Sequence, residues 1–146
     1  MKRYAFALGL FFAIGAMSLH GQSIDLVANI PFDFRLGESL MPAGEYLIHH
    51  LPGSPGTTIS RLKCNRCAAG AGSSKSLVFL TNADYHVAAP KSARLEFNRY
   101  GNTYFLTEMW EPWSHVGRVL PRTDREKELA RQFALAQHTG IALEPK

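Results

Sequence analysis

Two cysteines separated by two residues, Cys64-Asn65-Arg66-Cys67, form the grouping in this 146-residue chain with the most direct route to chemistry. A Cys-x-x-Cys pair carries out thiol–disulfide exchange when it opens a helix, because the positive N-terminal end of the helix favours the thiolate. Here the residues that follow are Ala-Ala-Gly-Ala-Gly, with no apolar helical stripe. The pair therefore reads as a disulfide across a short loop, and thiol redox or metal handling through Cys64 and Cys67 is the alternative. A zinc site needs about four converging ligands. The adjacent His49 and His50 would have to supply two of them, yet neighbours on a strand point to opposite faces and reach one ion only across a bulge. No metal and no other cofactor is expected.

Hydrolytic chemistry finds less support. The chain has no Gly-x-Ser-x-Gly elbow and no His-Glu-x-x-His pair, and Gly70-Ala71-Gly72 leads into a strand pattern rather than a phosphate-cradling helix. Glu108 and Glu111 are close enough in sequence to suggest a glycosidase-like carboxylate pair. Twelve acids scattered along the chain produce such neighbours by chance, however, so a non-enzyme is expected. The aromatic group Tyr100, Tyr104, Phe105, Trp110 and Trp113 offers a different function, because exposed rings stack on sugars or bury against a protein partner. Phe97, Phe105 and Trp110 read as core. Trp113, in the turn Glu-Pro-Trp-Ser-His, forms the expected contact surface with His115 and Tyr100.

The compartment follows from the first residues. Lys2 and Arg3 precede an apolar run from Ala5 to Met17, 13 residues long, followed by small and polar residues to Ser23. Spanning a bilayer takes about 20 residues, so the pattern predicts a secretory signal peptide over 1–21 and no stable membrane span after cleavage. No cysteine follows the run to carry a lipid. The protein is expected to be exported, periplasmic or extracellular, where a disulfide persists. Removing Lys2 and Arg3 leaves 14 basic residues against 12 acidic, a net +2. These charges are interspersed, which excludes the positive stripe of a nucleic-acid binder. The expected partner is a protein or glycan at the cell envelope.

The remaining 125 residues suit one domain. Period-two alternation marks strands at 24–36, 46–51, 57–62 and 76–81, with Pro and Gly turns between. Residues 92–110 read as a β-hairpin turning at Arg99-Tyr100-Gly101-Asn102, and 82–92 as irregular. The pattern then becomes helical. Thr123 and Glu126 form a capping box, Leu129, Phe133 and Ala136 an apolar stripe, and Gly140 a stop. The expected fold is all-β, a sandwich or a barrel-like sheet of about seven short antiparallel strands over 22–121, and the sandwich is preferred. One amphipathic helix over 122–139 is expected to pack on it.

Two stretches carry a resemblance. Ala-Asn-Ile-Pro-Phe-Asp-Phe at 28–34 leads to Met-Pro-Ala-Gly-Glu-Tyr at 41–46, and Leu-Glu-Phe-Asn-Arg-Tyr-Gly-Asn-Thr-Tyr-Phe-Leu at 95–106 leads to Arg-Glu-Lys-Glu-Leu-Ala at 125–130. Together they resemble a family of small exported, β-rich proteins of soil acidobacteria that has no established activity. The resemblance implies a fold type and export, and transfers no catalytic residue.

Overall fold

Most of the alternating stretches form strands among the described residues. A computed structural model describes residues 25–51, 57–67, 75–86, 88–133 and 136–145. The expected signal peptide, the Pro-Gly turn at 52–56 and the Gly, Ala and Ser loop at 68–74 lie outside the described residues. In β1 (Leu26–Ile30) the side chains of Leu26, Ala28 and Ile30 are buried while Asn29 faces out. β2 (Phe34–Leu36) and β3 (Ser39–Met41) form a tight hairpin, and Gly37 at φ 60° supplies the left-handed turn residue that a two-residue connection needs. β4 (Gly44–Leu51), β5 (Thr57–Cys67) and β6 (Ser76–Tyr85) follow as an antiparallel meander. The expected hairpin is present as β7 (Arg94–Tyr100) and β8 (Thr103–Trp110), turning through Gly101 at φ 59°.

Closure distinguishes this architecture from the preferred sandwich. Eight strands pair antiparallel in the ring β7, β10, β1, β4, β5, β6, β9, β8 and back to β7, which makes one closed barrel of a ten-strand sheet. Two elements absent from the sequence reading make the closure. β9 (Val116–Val119) bridges β6 to β8, and β10 (Gln137–Pro145) lies between β7 and β1. The β2–β3 hairpin attaches to the first half of β8 through a short parallel pairing, Phe34 opposite Tyr104 and Arg35 opposite Phe105.

The helix expected over 122–139 is α1 (Asp124–Gln132), and Gly140 stands in β10 opposite Glu96 rather than ending a helix. Half of the capping box forms: the Thr123 hydroxyl accepts the Glu126 N–H at 3.2 Å. The other half does not, because the buried Glu126 carboxylate accepts the Asn98 amide at 3.1 Å and so ties α1 to the outside of β7.

The barrel is filled by Ile30, Phe34, Met41, Tyr46, Ile48, Leu62, Leu95 and Phe97, with Phe34 edge-on to both Tyr46 and Phe97. Tyr46 donates its hydroxyl to the Pro42 carbonyl at 2.5 Å. Outward positions of β5 carry Arg61, Lys63 and Asn65. On β5 these outward side chains are charged or polar, the reverse of a lipid-facing strand. Among the described residues no helix is long and apolar enough to cross a membrane.

Candidate functional site

Antiparallel pairing of β7 and β8 sets Glu96 directly opposite Glu108, next to a bulge between Glu96 and Phe97. Their neighbours along the strands, Leu95, Phe97 and Met109, are buried in the barrel, so the two carboxylates stand on its outer face. Each has a partner. Arg94 Nε lies 2.5 Å from Glu96 Oε1, and the Trp110 indole N–H donates to Glu108 Oε2 at 3.0 Å. The Arg94 guanidinium sits 6.0 Å from the Trp110 ring centroid, and the His86 ring meets the same indole edge-on at 4.7 Å. Behind the indole lies Gly117 of β9, where an added Cβ would come within 2.8 Å of the ring. Glycine is needed there for close approach. These side chains, with Pro90, Thr107 and His138 of β10, line an open cleft of about 240 Å³.

The Trp113 turn does not itself line this cleft but is hydrogen-bonded to two residues that do, His86 and Pro90. Trp113 donates its backbone N–H to the Pro90 carbonyl at 2.8 Å, His86 donates its own to the His115 carbonyl at 2.9 Å, and His115 Nδ1 contacts the His86 carbonyl at 3.2 Å. So fastened, Trp113 adopts φ 59°, the one non-glycine residue in the left-handed region among the described residues, and the residue is 71 % exposed. A left-handed backbone costs an L-residue roughly 1–2 kcal/mol. For a bulky aromatic it is a rare conformation.

Trp113 and His115 are both exposed, two residues apart in this turn. Tyr100 is not part of that surface. It is 3 % exposed, packed edge-on to Phe105 at 5.9 Å between the strands and α1, and burial pushes its phenol pKa up. Trp110, expected in the core, is buried as part of the cleft wall. The candidate carboxylate pair separates: Glu108 faces Glu96, while Glu111 turns to His50 at 3.7 Å.

His49 and His50 diverge as adjacent strand residues do. His49 Nδ1 sits 2.5 Å from Asp25 on the outer face, whereas His50 points inward with Nδ1 3.1 Å from Ser60 Oγ. Burial lowers the His50 pKa, outweighing the opposing effect of Glu111. A histidine between a serine and a glutamate has the connectivity of an acyl-transfer triad. Ser60 is fully buried, however, so no substrate reaches its hydroxyl. Cys64 and Cys67 form a disulfide with Cα atoms 6.0 Å apart at the end of β5, against the bulge of β4 at Glu45 and Tyr46. Cys64 is buried on a strand, unlike the exposed helix-opening thiols of redox enzymes. Among the described residues no group of three or more His, Cys, Asp or Glu side chains is placed to hold a metal ion.

Glu96, Arg94, His86 and His138 did not emerge from the sequence as site residues. The first two were accessible in principle, since hairpin alternation puts them on one face with Glu108 and Trp110. The histidines arrive through barrel closure, which no local pattern announces. Comparison with protein-family models, curated proteins and solved structures finds no match to this chain.

Proposed function

We propose that the protein is an exported, non-catalytic binding module whose ligand is a glycan of the cell envelope, taken up at the Trp113 turn and the adjoining Glu96–Glu108 cleft. The observation that carries this reading is Trp113 itself: a tryptophan held at φ 59° and 71 % exposed forgoes both backbone ease and burial. Strain of this kind concentrates at ligand-contacting positions. The indole face offers a stacking platform for a sugar ring, and a few placed polar groups beside it confer orientation. Glu96 and Glu108 accept hydrogen bonds from ring hydroxyls, and Arg94 donates to ring or glycosidic oxygens.

The expected signal peptide, the Cys64–Cys67 disulfide and the resemblance to small exported acidobacterial proteins all accord with this location. The near-balanced charge of the mature chain argues for a neutral ligand rather than a polyanion.

Calorimetric titration with neutral β-1,4-linked glucose and N-acetylglucosamine tetramers tests the proposal. At least one should bind saturably with a Kd at or below about 1 mM, a free energy near −4 kcal/mol. Trp113→Ala should weaken that binding at least about tenfold, the loss of one stacking contact worth about 1.4 kcal/mol. Absence of saturable binding, or binding indifferent to Trp113, would overturn it.

A further inference from the structure

β6 is paired over most of its length on one side and only at its end on the other. β5 runs beside it from Ser76 to Asn82, but β9 covers its other edge only over Asn82–Tyr85. Among the described residues no strand pairs with that edge from Ser76 to Thr81, and the opening towards β3 is bridged by the Lys75 ammonium donating to the Leu40 carbonyl. The Cys64 N–H donates to the Lys75 carbonyl at 2.9 Å. Alternation along an antiparallel ladder then turns the backbone N–H and C=O groups of Ser76, Val78 and Leu80 away from β5, to the unpaired edge.

The residues on this edge are unsuited to standing there. Leu77, Val78, Phe79 and Leu80 are four consecutive apolar residues; Leu77 and Phe79 are half-buried against the barrel core, whereas Val78 and Leu80 on the outer face are 52 % and 57 % exposed. A strand apolar on both faces has the composition of a central strand. Natural edges are instead blunted with charge, proline or bulges, yet Ser76–Thr81 contains none of the three.

We infer that this edge is a homodimer contact in which β6 pairs antiparallel with β6 of a second copy across a two-fold axis at Val78. The second copy is the occupant because the edge is self-complementary. Centring on Val78 sets Val78 against Val78 of the partner subunit, Ser76 against Leu80 of the partner subunit, and Leu77 against Phe79 of the partner subunit. Apolar side chains thus meet at Val78 on one face and between Leu77 and Phe79 on the other, Ser76 flanks the central pair, no charge opposes a like charge, and the same alternate backbone groups bond in both strands. The two-fold axis closes the assembly at two copies.

Sedimentation equilibrium of the mature protein at about 100 µM, a concentration that resolves contacts of micromolar Kd, should give twice the monomer mass. Val78→Lys should return the monomer with an unchanged far-ultraviolet circular dichroism spectrum. Val78→Cys should form an intermolecular disulfide on mild oxidation, because directly bonded partners hold their Cα atoms about 5.5 Å apart, within disulfide reach. Leu80→Cys should not, since the two copies of that residue lie four positions out of register. A monomer at this concentration, an open-ended series of higher oligomers, or equal cross-linking at 78 and 80 would each overturn the inference.

Discussion

Replacing Trp113 by glycine separates a ligand contact from a structural tryptophan. Three contributions set its effect on stability. Relief of the left-handed backbone gains roughly 1–2 kcal/mol. The greater freedom of glycine in the unfolded chain costs roughly 0.4–1 kcal/mol. The part of the indole that is covered, roughly 60 Å² of a side chain of about 200 Å², contributes about 1.5 kcal/mol at 25 cal/mol per Å². These sum to between no net change and a loss of about 1.5 kcal/mol, so Trp113→Gly should lower stability by at most about 1.5 kcal/mol. For the roughly 125 residues left after the expected signal peptide, at about 2.1 cal/mol/K of unfolding entropy per residue, that is a Tm change within about 6 °C. Removing a core tryptophan costs about 3–5 kcal/mol, a fall of 12 °C or more on the same conversion. Thermal melts followed by circular dichroism distinguish the two cases, and the same sample should have lost glycan binding. A Tm fall beyond about 12 °C would make Trp113 a packing residue and refute the argument from its exposure.

Three further outcomes follow from the packing and the titrating groups. Gly117→Ala drives a methyl group into the Trp110 ring, at 2.8 Å before relaxation, and should lower stability by about 1–3 kcal/mol in a denaturant melt. The Tyr46 phenol, buried and close to Asp33, has its pKa raised from 10.0 to about 12. Its neutral form is the one the fold holds, so stability is intact below pH 10 and falls as pH rises towards about 12; in Tyr46→Phe that alkaline loss should diminish, while the unmatched Pro42 carbonyl costs about 1–3 kcal/mol at neutral pH. Burial lowers the His50 pKa below 6.5, so the unfolded chain takes up this proton first. Stability should therefore drop as pH falls below 6.5, and a series of melts on His50→Gln should show a shallower drop over the same range.

Much of the fold was legible because the chain alternates where strands form. Leu95 and Phe97 against Arg94 and Glu96, and the Arg99–Asn102 turn, specify β7 and β8 locally. β10 was hidden for a physical reason. Ala134 and Ala136 extend the helical stripe begun at Leu129 and Phe133, and Gly140 imitates a helix stop, whereas pairing with both β7 and β1 turns Gln137–Pro145 into a strand. The same long-range pairing decides barrel over sandwich, since closure depends on four residues of β9 meeting β6 and β8. Tyr100 was misplaced because alternation gives only the face it occupies; the helix that covers this face, anchored through Glu126 and Asn98, comes from further along the chain. The exposure of Trp113 was legible because its turn residues isolate it from any apolar pattern, while its left-handed backbone is visible only in three dimensions.

The central claim is that Trp113 and the cleft beside it form one ligand site, and the chain provides its own reporters, having only two tryptophans. A titration with the neutral tetrasaccharides, followed through the two indole N–H resonances in a ¹H–¹⁵N spectrum, tests it directly. The account predicts that the Trp113 resonance shifts saturably and that Trp110, bonded to Glu108, moves at the same midpoint. Two unmoved indole resonances at millimolar sugar, or shifts confined to residues away from Trp113, Trp110 and His86, would contradict it.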